Sequence, residues 1–157
     1  TDFPRFEGWG GHDKSTRLQM PGNFKPLSTV EAWQLSNPPI LSMAALLSSL
    51  EIFHEVGMSQ IRQKSEKLTS YLELLIKSEL EEQIEIITPS SNQSRGCQLS
   101  LRLIQPNDII NTLHERGIIC DWREPDVIRV APVPLYNSFE DCYNFTQILK
   151  DILYEFK

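Results

Sequence analysis

The sequence predicts an α+β fold: an antiparallel or mixed sheet with helices packed on one face, and elements in the order ααββαββα. Two observations support this prediction. Apolar residues recur every three or four positions in the segments assigned to helices, and every second position in several strand segments. The strand segments also come in consecutive pairs, whereas a parallel sheet needs a crossover between successive strands.

Two long helical segments come first in this order. The first runs from Ile40, after two prolines, to a stop signal at Gly57, and apolar residues surround most of it. We therefore expect this helix to be buried. The second begins at Met58 and repeats apolar residues at steps of three and four. Its other face has charged residues, among them Glu73, so we expect it to be half exposed.

Shorter elements make up the rest of the chain. Strands are predicted at Ile84–Ile86, Leu99–Leu103, Ile118–Asp121 and Val127–Ala131, and helices at Pro106–Arg116 and from Ser138 onward. Gly117 can close the shorter helix, and a tight polar turn containing Pro125 joins the last two strands. Asp141 follows Ser138 at the spacing of a capping box. The final helix has an apolar inner stripe, formed by Phe145, Ile148, Leu149, Ile152, Leu153 and Phe156.

The composition is that of an ordinary globular protein, with 157 residues, 40% hydrophobic and 23% charged. The net charge of −6 argues against a nucleic-acid or anionic-membrane partner. No apolar run approaches the length of a membrane span, and no signal peptide opens the chain. The three cysteines lack metal-ligand spacing, so we expect no metal site and a reducing, cytoplasmic location.

The first 39 residues differ from the rest of the chain. They contain five of the ten prolines and four of the seven glycines, and no periodic apolar pattern runs through them. Irregular segments of this length are unusual inside a compact domain. We therefore divide the chain into an irregular segment, 1–39, and an α+β domain, 40–157, and expect the former to be a functional loop or to lie on a surface outside this chain.

Three local features could have a chemical role. Trp9 lies between glycines, which let a ligand or another backbone come close, although a loop tryptophan can equally fill a gap in a core. Asn37 precedes two prolines and a helix start, which fix its amide, or it simply caps the helix. Arg129 points away from the face that Ile128 and Val130 share, and needs an anionic partner from the protein or a ligand.

Five motifs together resemble the C-terminal portion of the kynureninase family. They span nearly the whole chain in the family's order, and the last, eleven residues long, is highly specific. The motifs are Gly8–His12, Ser15–Arg17, Ser36–Pro39, Arg95–Leu99 and Ile128–Ser138.

This resemblance implies a pyridoxal-phosphate enzyme of the aspartate-aminotransferase fold, type I. Such an enzyme hydrolyses L-kynurenine or 3-hydroxy-L-kynurenine, its small-molecule substrates, to L-alanine and the corresponding anthranilate. The family is homodimeric, with active sites at the subunit interface. Residues 40–157 would be the small C-terminal domain of this fold, and residues 1–39 the end of the large cofactor domain, including an active-site loop.

The resemblance also assigns roles to individual residues. Trp9 matches the residue whose indole contacts the cofactor phosphate. Asn37 matches an asparagine beside cofactor and substrate, with Ser36 next to it in the pocket wall. Arg129 matches the arginine that binds the substrate α-carboxylate, and His12 is a further candidate near the substrate ring.

The sequence departs from the family's pattern at one position and lacks one catalytic group. Gly10 occupies a position where the resemblance leads us to expect an aromatic residue, as in animal relatives. None of the seven lysines follows a buried strand, so the Schiff-base lysine is expected upstream and the fragment alone is expected to be inactive. Two alternatives stay open: a fragment of a cysteine desulfurase or aminotransferase of the same fold, and a non-catalytic α+β ligand-binding module.

Overall fold

A computed structural model describes residues 3–104 and 109–155, and the chain divides into two compact units, 1–52 and 53–157. The described helices and strands follow the predicted order ααββαββα. They are α1 (Ile40–Val56), α2 (Met58–Leu80), β1 (Ile84–Ile86), β2 (Leu99–Leu103), α3 (Ile109–Glu115), β3 (Asp121–Arg123), β4 (Val127–Val130) and α4 (Phe139–Glu155). The predicted boundary at residues 39 and 40 stays a prediction, because the two compact units meet inside α1.

The second unit is built on a four-stranded sheet in the order β1-β2-β4-β3. Every neighbouring pair of strands is antiparallel, and β4 lies between β2 and β3. This arrangement confirms the α+β prediction. It also places β4, with its candidate arginine, in the interior of the sheet and not at an edge.

The core of this unit lies between one face of the sheet and the helices. Leu99, Leu101 and Leu103 of β2 are fully buried or nearly so, as expected for alternate residues that face the core. The helices contribute further buried side chains to the same cluster: Leu68, Leu72, Ile76 and Leu80 from α2, Ile109 and Leu113 from α3, and Cys142, Phe145, Leu149, Ile152 and Leu153 from α4. Helices on one face of the sheet are thereby confirmed.

The ends of the helices follow the predicted signals. Gly57 and Gly117 both adopt a φ of +81°, a conformation that favours glycine, where α1 and α3 end. The backbone N–H of Asp141 donates to Ser138 Oγ at 3.1 Å, and the N–H of Ser138 donates to Asp141 Oδ2 at 2.7 Å. This confirms the capping box of α4. The predicted helical positions before Ile109, and Phe156 of the apolar stripe, lie outside the described residues.

Three details of the prediction are wrong. Helix α1 forms as expected, but none of its residues is buried. Among the described residues of unit 1 there is no other α-helix or strand to cover it. Strand β3 begins at Asp121 and not at Ile118, because the N–H of Ile118 is used to close α3 by donating to Leu113 O. The third error is the placement of Glu73 on the exposed face of α2. In the structure Glu73 is buried, with only 7% of its surface exposed.

No single helix in the described ranges is long and apolar enough to cross a membrane. Helices α1 and α2, taken together as a bent pair, have the length and the apolar composition of a membrane span, and this likeness rests on length and composition alone.

Candidate functional site

Arg129 lies in the middle of a polar row that crosses three strands of the sheet. Its Cα partners are Ser100 on β2 and Asp121 on β3, so the three side chains share the face opposite the helices. The predicted orientation of Arg129, away from Ile128 and Val130, is therefore confirmed. The side chain is 32% exposed, which leaves it accessible from outside the core.

Asp121 is the protein partner of Arg129. Arg129 Nη2 donates a hydrogen bond to Asp121 Oδ2, and Arg123 Nη2 lies 3.0 Å from the same oxygen. The hydrogen bond from Arg129 is the main cause that lowers the pKa of Asp121 below its usual value, and the positive charges of Arg123 and Arg129 add to it. Arg129 Nε is buried and has no hydrogen-bond partner in the described part of the chain.

A cavity of about 620 Å³ adjoins this row and is lined by both Asp121 and Arg129. That volume suits a small-molecule ligand, since ligand pockets commonly measure about 300–1,000 Å³. Polar side chains with hydrogen-bonding capacity contribute to the lining beside apolar ones. They include Gln98, Tyr136, Asn137 and Asn144.

The segment between β4 and α4 is held in a closed turn along this cavity. The backbone N–H of Val133 donates to Asn137 Oδ1 at 2.8 Å, and the N–H of Asn137 donates back to Val133 O at 2.8 Å. Lys64 of α2 donates from Nζ to Pro134 O at 2.6 Å. The motif Ile128–Ser138 is thus a strand, a side-chain-locked turn and a helix cap in succession.

The motif Arg95–Leu99 is anchored by a buried ion pair. The Arg95 side chain is 2% exposed, and its Nη1 donates to Glu73 Oε2 at 2.5 Å. Burial alone would raise the pKa of Glu73, but hydrogen bonds from Lys77, Ser90 and Arg95 outweigh it and lower the pKa to about 2. The ion pair fixes the end of the loop that leads into β2. Gln98, in the cavity wall, and Leu99, in the core, follow Arg95 by three and four residues.

Unit 1 contains the other residues to which the sequence assigned a role. The glycines around Trp9 pack directly on the backbone of residues 32–36. A Cβ on Gly10 would lie 2.8 Å from Ser36 O, which is too close for an unshifted backbone. Glycine at position 10 therefore lets the Trp9 turn and the Ser36–Asn37 segment approach each other.

Trp9, Ser36 and Asn37 have polar groups available for a ligand. Trp9 is 44% exposed, and the guanidinium of Arg17 stacks over its ring at 4.2 Å. Neither the Trp9 indole N–H nor the side chains of Ser36 and Asn37 form a hydrogen bond to any described residue. Asn37 accordingly does not cap α1, although capping was the simpler interpretation of its position.

His12 is held by contacts within unit 1. It is 6% exposed, its Nδ1 accepts from the N–H of Lys25 at 3.2 Å, and its Nε2 lies 3.2 Å from Thr16 Oγ1. Because Nδ1 is an acceptor here, this network places the proton on Nε2, which donates to Thr16. The contacts explain a structural role for His12, and a role near the substrate ring stays a prediction.

Two residues at or near the site were missed by sequence reasoning. The sequence pattern places Asp121 at the end of a strand and Glu73 on the exposed face of α2. The alternation of Asp121 and Arg123 around Trp122 was the available signal for Asp121, since it places two opposite charges on one face of a strand. For Glu73, its position three residues before Ile76 of the apolar stripe was the signal, because residues at this spacing share a helix face.

Comparisons with known proteins give a consistent result. A family model described as "Kynureninase C-terminal domain" matches residues 61–149, more than half of the chain. Curated proteins named kynureninase from Koribacter versatilis and Myxococcus xanthus are 52% and 53% identical over 93% and 95% of this chain. One from Xanthomonas oryzae is 48% identical over 92% of the chain. The chain spans 35% of the length of each of these relatives.

Solved structures with a similar fold have lower sequence identity. The complex of the cystine C-S lyase C-DES with cysteine persulfide matches with a TM-score of 0.73 and 15% identity, over 94% of this chain and 38% of that one. The cysteine desulfurase of Thermococcus onnurineus matches with a TM-score of 0.71 and 17% identity, over 95% and 38% of the two chains. A C-DES mutant with glycine linked to its pyridoxal-phosphate cofactor has the same TM-score, 0.71. These likenesses concern the fold alone, and they confirm the expected type I fold.

Proposed function

The chain belongs to the kynureninase family, and from this premise we propose that it supplies the substrate-carboxylate site of a pyridoxal-phosphate-dependent hydrolase. The complete enzyme would cleave a carbon–carbon bond of L-kynurenine or 3-hydroxy-L-kynurenine, giving L-alanine and anthranilate or 3-hydroxyanthranilate. The single observation that best supports this proposal is the position of Arg129, in an antiparallel sheet and beside a cavity of suitable size.

Arg129 would bind the α-carboxylate of the amino-acid substrate. Its guanidinium is partly exposed, and only Nη2 is used by a described protein group, Asp121. The remaining donors can form the short, charge-assisted hydrogen bonds that a carboxylate accepts. The locked turn at residues 131–137 would keep the cavity wall in place while the ligand binds.

Trp9 and Asn37 fit a role in holding the cofactor. Both have donor groups without a described partner, and the Trp9 indole is exposed. An indole N–H can donate to a phosphate oxygen, while the asparagine amide can both donate and accept. When bound, pyridoxal phosphate supplies an electron sink for bonds at the substrate α-carbon. Ser36 and His12 would lie in the wall of the same site, and a homodimer would complete it.

A cysteine desulfurase of the same fold is the alternative enzyme. It would need a cysteine that is readily deprotonated, which favours an exposed and electropositive setting. Burial raises the pKa of the Cys120 thiol, with Asp121 adding to the effect, and burial raises that of Cys142 to about 11. Both thiols would therefore stay protonated near neutral pH, which argues against this alternative for these two residues.

An assay of the complete enzyme tests the proposed function. The protein, loaded with pyridoxal phosphate, is supplied with L-kynurenine, 3-hydroxy-L-kynurenine or L-cysteine in parallel reactions. We expect L-alanine together with anthranilate or 3-hydroxyanthranilate, both of which are fluorescent, and no sulfide from L-cysteine. Sulfide release without cleavage of either kynurenine would instead support the desulfurase, and no turnover of any of the three would favour a non-catalytic module.

A further inference from the structure

We propose that Asp121 is a positioning residue for Arg129: it holds the guanidinium through one N–H of Nη2 and leaves Nη1, with the second N–H of Nη2, for the carboxylate of the substrate. This inference rests on the proposed function of the same site and adds a specific role within it. Neither the sequence motifs nor the family resemblance assigned a role to Asp121.

The sheet geometry brings the side chains of Asp121 and Arg129 together. Asp121 and Arg129 are Cα partners on adjacent antiparallel strands, so their side chains leave the same face next to each other. Because β4 is an interior strand, the backbone at Arg129 is fixed from both sides, by β2 and β3. A long arginine side chain still has several rotatable bonds, and the contact to Asp121 restricts them.

Asp121 uses only part of the hydrogen-bonding capacity of the Arg129 guanidinium. The contact joins one guanidinium nitrogen, Nη2, to one carboxylate oxygen, Oδ2, and Nη1 donates no hydrogen bond to a described residue. A carboxylate that occupied both terminal nitrogens would instead block the bidentate geometry in which arginine binds carboxylates. Asp121 thus orients the guanidinium group without occupying both of its terminal nitrogens.

The charge of the cluster around Asp121 also favours an incoming anion. Asp121 Oδ2 is shared with Arg123, so the described cluster consists of two guanidinium groups and one carboxylate. Its formal charge is therefore positive, and it favours an added anion next to Arg129. Arg123 also reduces the repulsion that Asp121 alone would exert on an incoming carboxylate.

The test uses three variants of the complete enzyme loaded with pyridoxal phosphate. Asp121→Asn removes the charge at constant size, and Asp121→Glu keeps the charge but moves it by one methylene. The matched control is Asp126→Asn, because Asp126 is a carboxylate on the turn between β3 and β4 whose partner is Arg102, at 3.7 Å, and not Arg129. Each protein is assayed for KM, kcat and cofactor content. The inhibition constant of kynuramine, which is kynurenine without its carboxylate, is measured alongside.

We expect Asp121→Asn to raise KM for kynurenine about tenfold, while kcat and the inhibition constant of kynuramine change by less than about twofold. Asp121→Glu should raise KM by roughly threefold, and Asp126→Asn should leave all values near those of the wild type. Unchanged cofactor content would show that the effect is confined to recognition of the carboxylate.

Two outcomes would overturn the role of Asp121 while leaving the proposed function intact. One is an active wild type with a KM that is the same in Asp121→Asn and Asp126→Asn. The other is a parallel loss of kcat, kynuramine binding and thermal stability, which would show a structural ion pair. If Asp121→Asn does not fold, the test rests on Asp121→Glu. An unchanged KM in Asp121→Glu would contradict the positioning role of Asp121. A folded wild type that leaves kynurenine intact overturns the proposed function itself, and the inference with it.

Discussion

Arg129 combines a backbone that is fixed within the sheet with a side chain that is accessible from outside the core. Its backbone lies between two strands, yet its guanidinium is 32% exposed on the face opposite the core. Residues on that face do not contribute to the apolar cluster, so a substitution there can change recognition without opening a cavity in the core.

Replacement of Arg129 tests its proposed contact with the substrate. In the complete enzyme, Arg129→Ala should lower kcat/KM by roughly one and a half to three and a half decades. This decrease corresponds to a loss of about 2–5 kcal/mol of transition-state stabilisation. Arg129→Lys should recover only part of this, because a point charge lacks the fork geometry. Cofactor content should stay near that of the wild type. Steady-state kinetics together with cofactor absorbance would measure both effects, and an efficiency within about threefold of the wild type would refute the assignment.

The two partners in this ion pair differ in how visible they are in the sequence. The direction of Arg129 follows from strand alternation alone, since its apolar neighbours Ile128 and Val130 define the core face. The identity of its partner depends on which strand lies next to β4 and in which register. That information is absent from local periodicity, and the strand of Asp121 was placed three residues too early.

At the scale of elements, a buried ion pair is among the contacts that join the loop between β1 and β2 to α2. Glu73 and Arg95 are both largely buried, and Arg95 donates a charge-assisted hydrogen bond to Glu73, while Ser90 donates to Glu73 Oε1 at 2.6 Å. Removing one member of such a pair leaves an uncompensated buried charge, which is more costly than the pair itself is stabilising. The loop conformation and the helix position are thereby coupled.

We expect the contribution of Glu73 to stability to depend on pH. The pKa of Glu73 falls from 4.5 to about 2 in the folded chain, so the folded state favours the ionised carboxylate. The stabilisation is therefore fully present above about pH 5 and is lost as the pH falls toward 2. Glu73→Gln should lower the free energy of unfolding by about 3 kcal/mol at pH 7, and the difference from the wild type should shrink between pH 5 and pH 2.

Urea denaturation of the 157-residue chain at several pH values would measure this dependence. Glu66→Gln is the matched control, because Glu66 lies on the same helix and pairs with Arg62, but its side chain is 38% exposed. The control should cost less than about 1 kcal/mol at any pH. An equal effect of the two substitutions at pH 7 would contradict the special role of the buried pair.

The sequence predicted the helices and their capped ends correctly, but its predictions for the exposure of α1 and of Glu73 are wrong. Helix ends at Gly57 and Gly117 and the cap at Ser138 follow from short-range chemistry, which is fully encoded by neighbouring residues. The prediction that α1 is buried is wrong. The apolar periodicity of α1 shows that the helix favours an apolar environment, but it does not show whether another part of the chain covers the helix. Glu73 was misplaced for the opposite reason, since its buried partner Arg95 is 22 residues away in the chain.

At the scale of the whole molecule, this chain corresponds to about a third of its relatives, 35% by length. It contains Trp9, Asn37 and Arg129, but none of its described lysines is buried. The chemistry of pyridoxal phosphate needs a lysine held at the cofactor, so the proposed site would be completed by further parts of the enzyme.

The isolated 157-residue chain should therefore not attach pyridoxal phosphate at one specific lysine. After incubation with the cofactor, borohydride reduction and peptide mapping, we expect only low and scattered modification. A single lysine modified in nearly every molecule would contradict this expectation. The complete enzyme treated in the same way provides the positive control, with one predominant site.

The alternation along β4 has a consequence for how the enzyme can change over many generations. Ile128 and Val130 face the core, whereas Val127 and Arg129 face the other side, so the requirements for folding and for ligand choice fall on different residues of one strand. Mutations at the outward positions can be sampled with little loss of stability, because they leave core packing unchanged. A library that randomises positions 100, 121 and 129 while keeping their inward neighbours fixed would therefore yield mostly folded proteins that differ in the anion they recognise.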